Sequence, residues 1–211
     1  MTRVIVVEDE QSFRQMLLSQ LSRDPQIDVV GEAASGEEAI ELADELDPEV
    51  MLMDIELAGG MTGIEAGHRI KAKRPSMGIV LLSNHRAKQF IVSMAGWSYL
   101  LKKNVRDLDA VARAIKGAAW GMIVVDPAIT ESLQPRSDSP LAQLEAEEVK
   151  VLELLAQGYS ELAIAQEIGI RLSVVRSALS NVYFKLGILE DGRADPRVMA
   201  VRIYLEDTKG F

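Results

Sequence analysis

Four short apolar runs in the first half of the chain each end on a side chain that can do chemistry. Val4–Val7 leads into Glu8 and Asp9, Val50–Met53 into Asp54, Ile79–Leu82 into Ser83, and Tyr99–Leu101 into Lys102. Taken as strands of one parallel sheet, these runs open at their carboxyl ends onto a common crevice, where open α/β sheets hold ligands. Three carboxylates gathered there repel one another until a cation neutralises them. An all-oxygen donor set selects a hard ion such as Mg²⁺. Lys102 adds a positive point charge and Ser83 a hydroxyl. A carboxylate nucleophile beside Mg²⁺ and a lysine is equipped to receive a phosphoryl group by in-line displacement. Such transfer rests mostly on positioning and charge neutralisation. The plain alternative is a solvated acidic rim.

The elements that must position these groups are legible as patterns. A fifth strand-length run lies at Val29–Ala34. Between the runs, helical spacing puts Phe13, Met16, Leu17 and Leu21 on one face, and Leu108, Val111, Ala112 and Ile115 on another. Ser35-x-x-Glu38 and Thr62-x-x-Glu65 have the form of capping boxes, which satisfy orphan amides at helix starts. Five strand–helix alternations predict a doubly wound α/β domain, a five-stranded parallel sheet covered by helices on both faces.

Composition narrows the classes. The chain has 211 residues, with 23 Lys and Arg against 32 Asp and Glu, for a formal charge of −9. That length suits one large domain or two small ones at roughly 100–200 residues each. The absence of cysteine excludes disulfides, thiolate metal sites and thiol nucleophiles, and two histidines are too few for a multi-His metal centre. No run approaches the ~18 apolar residues of a membrane span, and Val4–Val7 is too short for the core of a signal peptide. A soluble, cytoplasmic protein without a membrane partner is expected. Thr130–Pro140 holds two prolines and four hydroxyl residues with little apolar periodicity, so residues 127–140 read as a linker between 1–126 and 141–211.

The last part has no strand pattern. Val149, Leu152, Leu155 and Ala156 share a helical face that stops near Gly158. Ser160 caps a second, short helix ending near Gly169, and a third sets Val175, Ala178, Leu179, Val182 and Leu186 on one side. Asp195-Pro196 opens a fourth, burying Val198, Val201 and Leu205. A tight glycine turn between the second and third predicts a small all-α helix-turn-helix bundle.

VIVVEDE, MLMDIEL, VLLSN and YLLKK together resemble the receiver domain of a bacterial two-component response regulator, a flavodoxin-like fold. The resemblance implies that Asp54 is the phosphorylated aspartate. It makes Glu8 and Asp9 the acidic pair holding Mg²⁺, with the backbone carbonyl of Glu56 completing the protein ligands. Lys102 matches the phosphate-contacting lysine. Ser83 and Tyr99 match the hydroxyl and aromatic positions that shift when the phosphoryl group arrives. LEAEEVKVLELLAQGYSELAIAQEIGI and VVRSALSNVYFKLGI resemble the NarL/FixJ (LuxR-type) helix-turn-helix output domain.

On that resemblance the third helix of the bundle enters the DNA major groove. Its polar face carries Ser173, Arg176, Ser177, Ser180, Asn181 and Lys185, preceded by Arg171. Arg176 is assigned to a base or phosphate and Lys185 to phosphate. The plain alternative is a solvated helix face. The chain departs from the family pattern at Ala58, at Asn84, and in the length of the loop before Gly63. Arg171 stands where a capping Ser or Thr is usual, which predicts a late start for that helix. Leu162, Val174 and Ala178 replace polar residues, and residues 141–211 carry eight basic against eleven acidic groups.

The expected function is transcriptional control. A histidine kinase phosphorylates Asp54, the helix before the fifth strand, that strand and the helix after it are remodelled, and a homodimer grips two promoter half-sites. The chain is expected to be no enzyme beyond slow self-dephosphorylation. One alternative is a phospho-dependent adaptor whose helical domain binds a protein; another is a small hydrolase using the acidic crevice. His68 is expected at the surface or at the core boundary. His85 is a candidate for tuning access to the crevice. Trp97 is expected at the sheet edge, packed or contacting a partner, and Trp120 is expected to be packed where the first domain ends.

Overall fold

The computed structural model describes residues 1–84, 96–131, 134–135, 139–188 and 194–209. The chain divides into two compact units, one holding described residues 1–84 and 97–121 and the other holding Gly96 and the described residues from Met122 onward. His85, and the helix expected before the fifth strand, lie outside the described residues. Among the described residues no helix is long and apolar enough to cross a membrane.

The first unit contains strands β1 (Thr2–Val7), β2 (Ile27–Ala33), β3 (Val50–Asp54), β4 (Gly78–Ser83) and β5 (Ser98–Leu101), all parallel in the order β2-β1-β3-β4-β5. Val4–Val7, Val50–Met53 and Val80–Leu82 are fully buried on both faces, as unbroken apolar runs in a covered parallel sheet must be. The helices are α1 (Gln11–Leu21), α2 (Gly36–Leu46), α3 (Gly63–Lys73) and α4 (Leu108–Ala119). Thr62 and Glu65 form a complete capping box, with the Glu65 amide 3.2 Å from Thr62 Oγ1 and the Thr62 amide 2.9 Å from Glu65 Oε2. The other expected box is altered: Ser35 accepts the Glu38 amide, but the Glu38 carboxylate takes the amide of Ala34 at 2.7 Å. On α4 the buried face is Ala110, Val111, Ala114, Ile115 and Ala118, rotated from the expected one, with Leu108 and Ala112 only half-buried.

The second unit contains α5 (Pro127–Thr130), α6 (Ala146–Ala156), α7 (Glu161–Ile168), α8 (Leu172–Lys185) and α9 (Pro196–Asp207). A two-residue ribbon pairs β6 (Gln134–Pro135) with β7 (Thr208–Lys209). Gly169 closes α7 at φ 71° in the left-handed region, and the chain turns straight into α8. Ser160 and Asp195 cap α7 and α9 as expected.

Four further expectations are corrected. The segment read as a linker begins inside the second unit: Ile129 and Thr130 are buried there, and the Thr130 hydroxyl accepts a bond from the Gln157 side chain at 2.8 Å. The helix after Arg171 does not start late; α8 begins at Leu172 although Arg171 supplies no side-chain cap. Trp120 is 85 % exposed, because α4 ends at Ala119 and Trp120, as its C-cap, has left the buried face. The buried side of α6 is broader than the stripe predicted, taking in Val151 and Leu154 while Val149 is only half-buried, because this helix packs against both α8 and α9.

Candidate functional site

Strand register brings the polar ends together. Val7 pairs with Met53, so Glu8 and Asp54 emerge side by side at the point where the strand order reverses. Ser83 pairs with Leu101, which sets Lys102 one residue beyond it. The N-terminus of α3 leans on the back of this cluster: the Gly63 amide bonds Ile55 O at 3.0 Å, and a Cβ on Gly63 would lie 1.9 Å from the Asp54 carbonyl oxygen. Only glycine fits there.

Glu8 and Asp54 are buried, while Asp9 is exposed. Carboxylate oxygens of Glu8, Asp9 and Asp54 lie within 4.8 Å of one another. Lys102 Nζ donates to Asp54 Oδ2 at 2.7 Å and to Glu8 Oε1 at 2.9 Å. It also sits 2.8 Å from Glu8 Oε2, an ion-pair contact without hydrogen-bond geometry, and 5.0 Å above the Phe13 ring. The Glu56 amide donates to Asp54 Oδ1 at 3.2 Å, so each Asp54 oxygen has a partner that fixes its direction. Ser83 and Tyr99 are buried in β4 and β5, and Asn84 and Glu56 are exposed.

The electrostatics show a site short of positive charge. Burial pushes the Glu8 carboxyl above its usual range and the Asp54 charge adds to the rise, against the pull of Lys102. Burial likewise raises Asp54, with Asp9 adding and Lys102 opposing. For Lys102 burial works against the ammonium, but the hydrogen bonds to Asp54 and Glu8 outweigh it and hold the pKa up. One lysine therefore offsets one of three carboxylates, and the buried Glu8 Oε2 has no hydrogen bond. A hard divalent cation fits this all-oxygen donor set.

Trp97 is buried, its ring packed over α3 where a Cβ on Gly67 would come within 2.6 Å of Trp97 Cη2. His68 is exposed, as expected, and its ring packs at a tilt of 47° against Trp97 with ring centroids 4.8 Å apart.

In the second unit, Arg171, Ser173, Arg176, Ser177, Ser180 and Asn181 are exposed along α8, and Lys185 is half-buried. Two of these cations already have acidic partners. Arg176 Nε bonds Glu161 Oε2 at 2.8 Å, and Lys185 Nζ bonds buried Glu148 Oε2 at 2.7 Å. Sequence reasoning missed Glu161 and Glu148, since a basic stripe in one helix carries no sign of the acids facing it from two others.

Residues 4–116, just over half of the chain, match the response regulator receiver domain. The chain is 30 % identical over 214 residues to the transcriptional regulatory protein YdfI of Bacillus subtilis (strain 168), covering 98 % of this chain and 96 % of that protein. A LuxR-family two-component response regulator from Aurantimonas sp. SI85-9A1 superposes with a TM-score of 0.57 at 30 % identity, covering 62 % of this chain and 94 % of that one. The Salmonella typhimurium RcsB response regulator shares the fold at 22 % identity and a TM-score of 0.55, covering 97 % of each chain. An acidic crevice at the switch point of a parallel five-stranded sheet, followed in the chain by a helix-turn-helix bundle, defines a response regulator receiver unit with a helical second unit. The chain belongs to the two-component response regulators of the NarL/FixJ (LuxR-type) family.

Proposed function

We propose that Asp54 accepts a phosphoryl group from a phosphohistidine of a partner kinase and that this modification controls DNA binding by the second unit. The observation that carries the reading is the bridge from Lys102 to both Asp54 and Glu8, 48 and 94 residues away in sequence. An Asp54 oxygen attacks phosphorus; the new O–P bond forms as the P–N bond breaks, and the imidazole leaves with that electron pair. Glu8, Asp9, Asp54 and the Glu56 carbonyl would hold Mg²⁺, which would supply charge neutralisation for the incoming phosphoryl oxygens. Lys102 then exchanges a carboxylate for a phosphoryl oxygen, and the Ser83 hydroxyl donates to another. Departure of Lys102 and Ser83 from their resting contacts, with Tyr99 following in β5, carries the change to the face around that strand.

The family membership and the relative named as a transcriptional regulatory protein support DNA as the output, read by Arg171, Ser173, Arg176, Ser177, Ser180, Asn181 and Lys185 of a dimer on two half-sites. Phosphorylation shifts the population by its differential affinity for the active state, a full switch from 1:99 to 99:1 requiring about 10⁴-fold. Recovery of genomic DNA on the protein, with and without acetyl phosphate and Mg²⁺, tests this reading. Enrichment of a small set of sites that depends on Asp54 supports it, and no retention at low salt rejects it. The adaptor reading is favoured by one observation: Phe184 on α8 is 86 % exposed and Leu162 on α7 is 56 % exposed, apolar groups of the kind that anchor protein interfaces. Failure to retain DNA would leave that reading in place.

A further inference from the structure

The helix assigned to DNA carries its own counter-charge. Arg176 and Glu161 are joined at 2.8 Å between α8 and the first residue of α7, both partly open to solvent. Glu161 is held where it is by the helix it begins: Ser160 caps α7 by accepting the Ala163 amide at 3.2 Å, and the helix dipole favours a carboxylate in the first turn. Its neighbour Leu162 is apolar and exposed, so α7 itself presents no cation beside that acid, and Arg197 of α9, which lines the same cavity as Glu161, is already bonded to Asp195 at 2.5 Å. Lys185 is tied to Glu148. Of the three basic residues assigned to DNA, Arg171 alone has no ion pair among the described residues.

We propose that Glu161 is a specificity residue of the DNA-binding unit, masking Arg176 against the uniform phosphate backbone; this rests on the DNA-binding reading above. A lone phosphate offers the guanidinium little that Glu161 does not already offer, and Glu161, once released, faces the polyanion. A guanine edge offers two acceptors in a fixed fork, which a single carboxylate contact through Nε does not match. An exposed ion pair is weak enough to be exchanged, so the mask lowers affinity without abolishing it. Non-specific binding, which scales with the phosphates neutralised, loses most. The acid acts as a repulsive element against the wrong partner.

The test uses the full chain and a mixed-sequence duplex titrated over a salt series. Glu161→Gln should tighten binding about fivefold at low salt and steepen the log K against log salt slope by roughly 0.9. Glu167→Gln makes the same charge change at an exposed position six residues further along α7, and should change affinity by less than about twofold. Arg176→Gln should remove the gain made by Glu161→Gln. Recovery of genomic DNA with Glu161→Gln should return a broader set of sequences than the wild type. Equal gains from the two glutamate variants, or a gain that survives Arg176→Gln, would reduce the effect to net charge and overturn the proposal. Wild-type binding that Glu161→Gln leaves unchanged overturns it alone. If no variant retains DNA at low salt, the DNA-binding reading falls and takes this proposal with it.

Discussion

Lys102 Nζ lies 2.7 Å from Asp54 Oδ2, with the ammonium also in contact with both oxygens of Glu8. One cation thus holds two buried carboxylates whose own desolvation pushes their pKa values up. This arrangement is stable only while positive charge stays in the crevice, which links metal, lysine and any incoming phosphoryl group in one electrostatic balance.

Mg²⁺ is therefore expected to raise the melting temperature of the protein, by the equivalent of about 1.4 kcal/mol at ten times its dissociation constant. Asp9 is exposed, so Asp9→Asn should alter stability without metal by no more than about 0.5 kcal/mol. The same change should abolish the Mg²⁺-dependent rise. A variant that keeps the full rise would remove Asp9 from the ligand set.

The Gly67–Trp97 contact predicts a non-additive pair. Gly67→Ala places a methyl 2.6 Å from Trp97 Cη2. The overpacking costs about 1–3 kcal/mol, against about 1 kcal/mol gained in helix propensity. Trp97→Leu alone leaves a cavity and is destabilising. Combined, the two should cost less than their sum in urea unfolding, because the smaller side chain makes room for the methyl. Strict additivity would show that the two residues do not share that space.

Acid should weaken the second unit through Glu148. Burial alone would raise its carboxyl, but the Lys185 hydrogen bond and the Glu145 amide overcome that and hold it below the ordinary 4.5. A carboxyl depressed in the folded state contributes stability above its unfolded value and loses it as pH falls through the folded one. Lys185→Met should cost about 1–2 kcal/mol at pH 7, and the gap from wild type should shrink on acidification below 4.5. Denaturant melts at pH 7 and near pH 3.5 measure it, and a gap that widens in acid contradicts the assignment.

Residues 122–131 should behave as part of the second unit rather than as a tether. Val125 and Ile129 are fully buried, the Val125 amide bonds Ala156 O at 2.7 Å, and the Tyr204 hydroxyl reaches Thr130 O at 3.3 Å. Ile129→Ala should cost about 2–5 kcal/mol and speed amide exchange in α6 and α9. Faster exchange confined to residues 122–131 would mark them as a separate, loosely held strap.

The strands and the crevice were legible because buried parallel strands are continuous apolar runs, and in four of the five the residue that follows or ends the run opens onto the crevice. Val7 to Glu8 and Met53 to Asp54 show this directly. The exposure of Trp120 was not legible, since helical periodicity does not fix the residue at which α4 stops. Nor was α5: four residues carry no period, and Pro127 and the hydroxyls nearby read as a tether. The pairing of Arg176 with Glu161 and of Lys185 with Glu148 depends on how helices cross, and local spacing holds no record of that.

Phosphoryl acceptance by Asp54, assisted by Lys102 and Mg²⁺, is the proposal on which the others rest. Intact mass and peptide mapping after incubation with acetyl phosphate test it most directly. One phosphoryl adduct per wild-type chain is expected, mapped to Asp54 and dependent on Mg²⁺, absent in Asp54→Asn and slowed in Lys102→Met. An adduct that persists in Asp54→Asn, or none in the wild type with Mg²⁺ present, would contradict it.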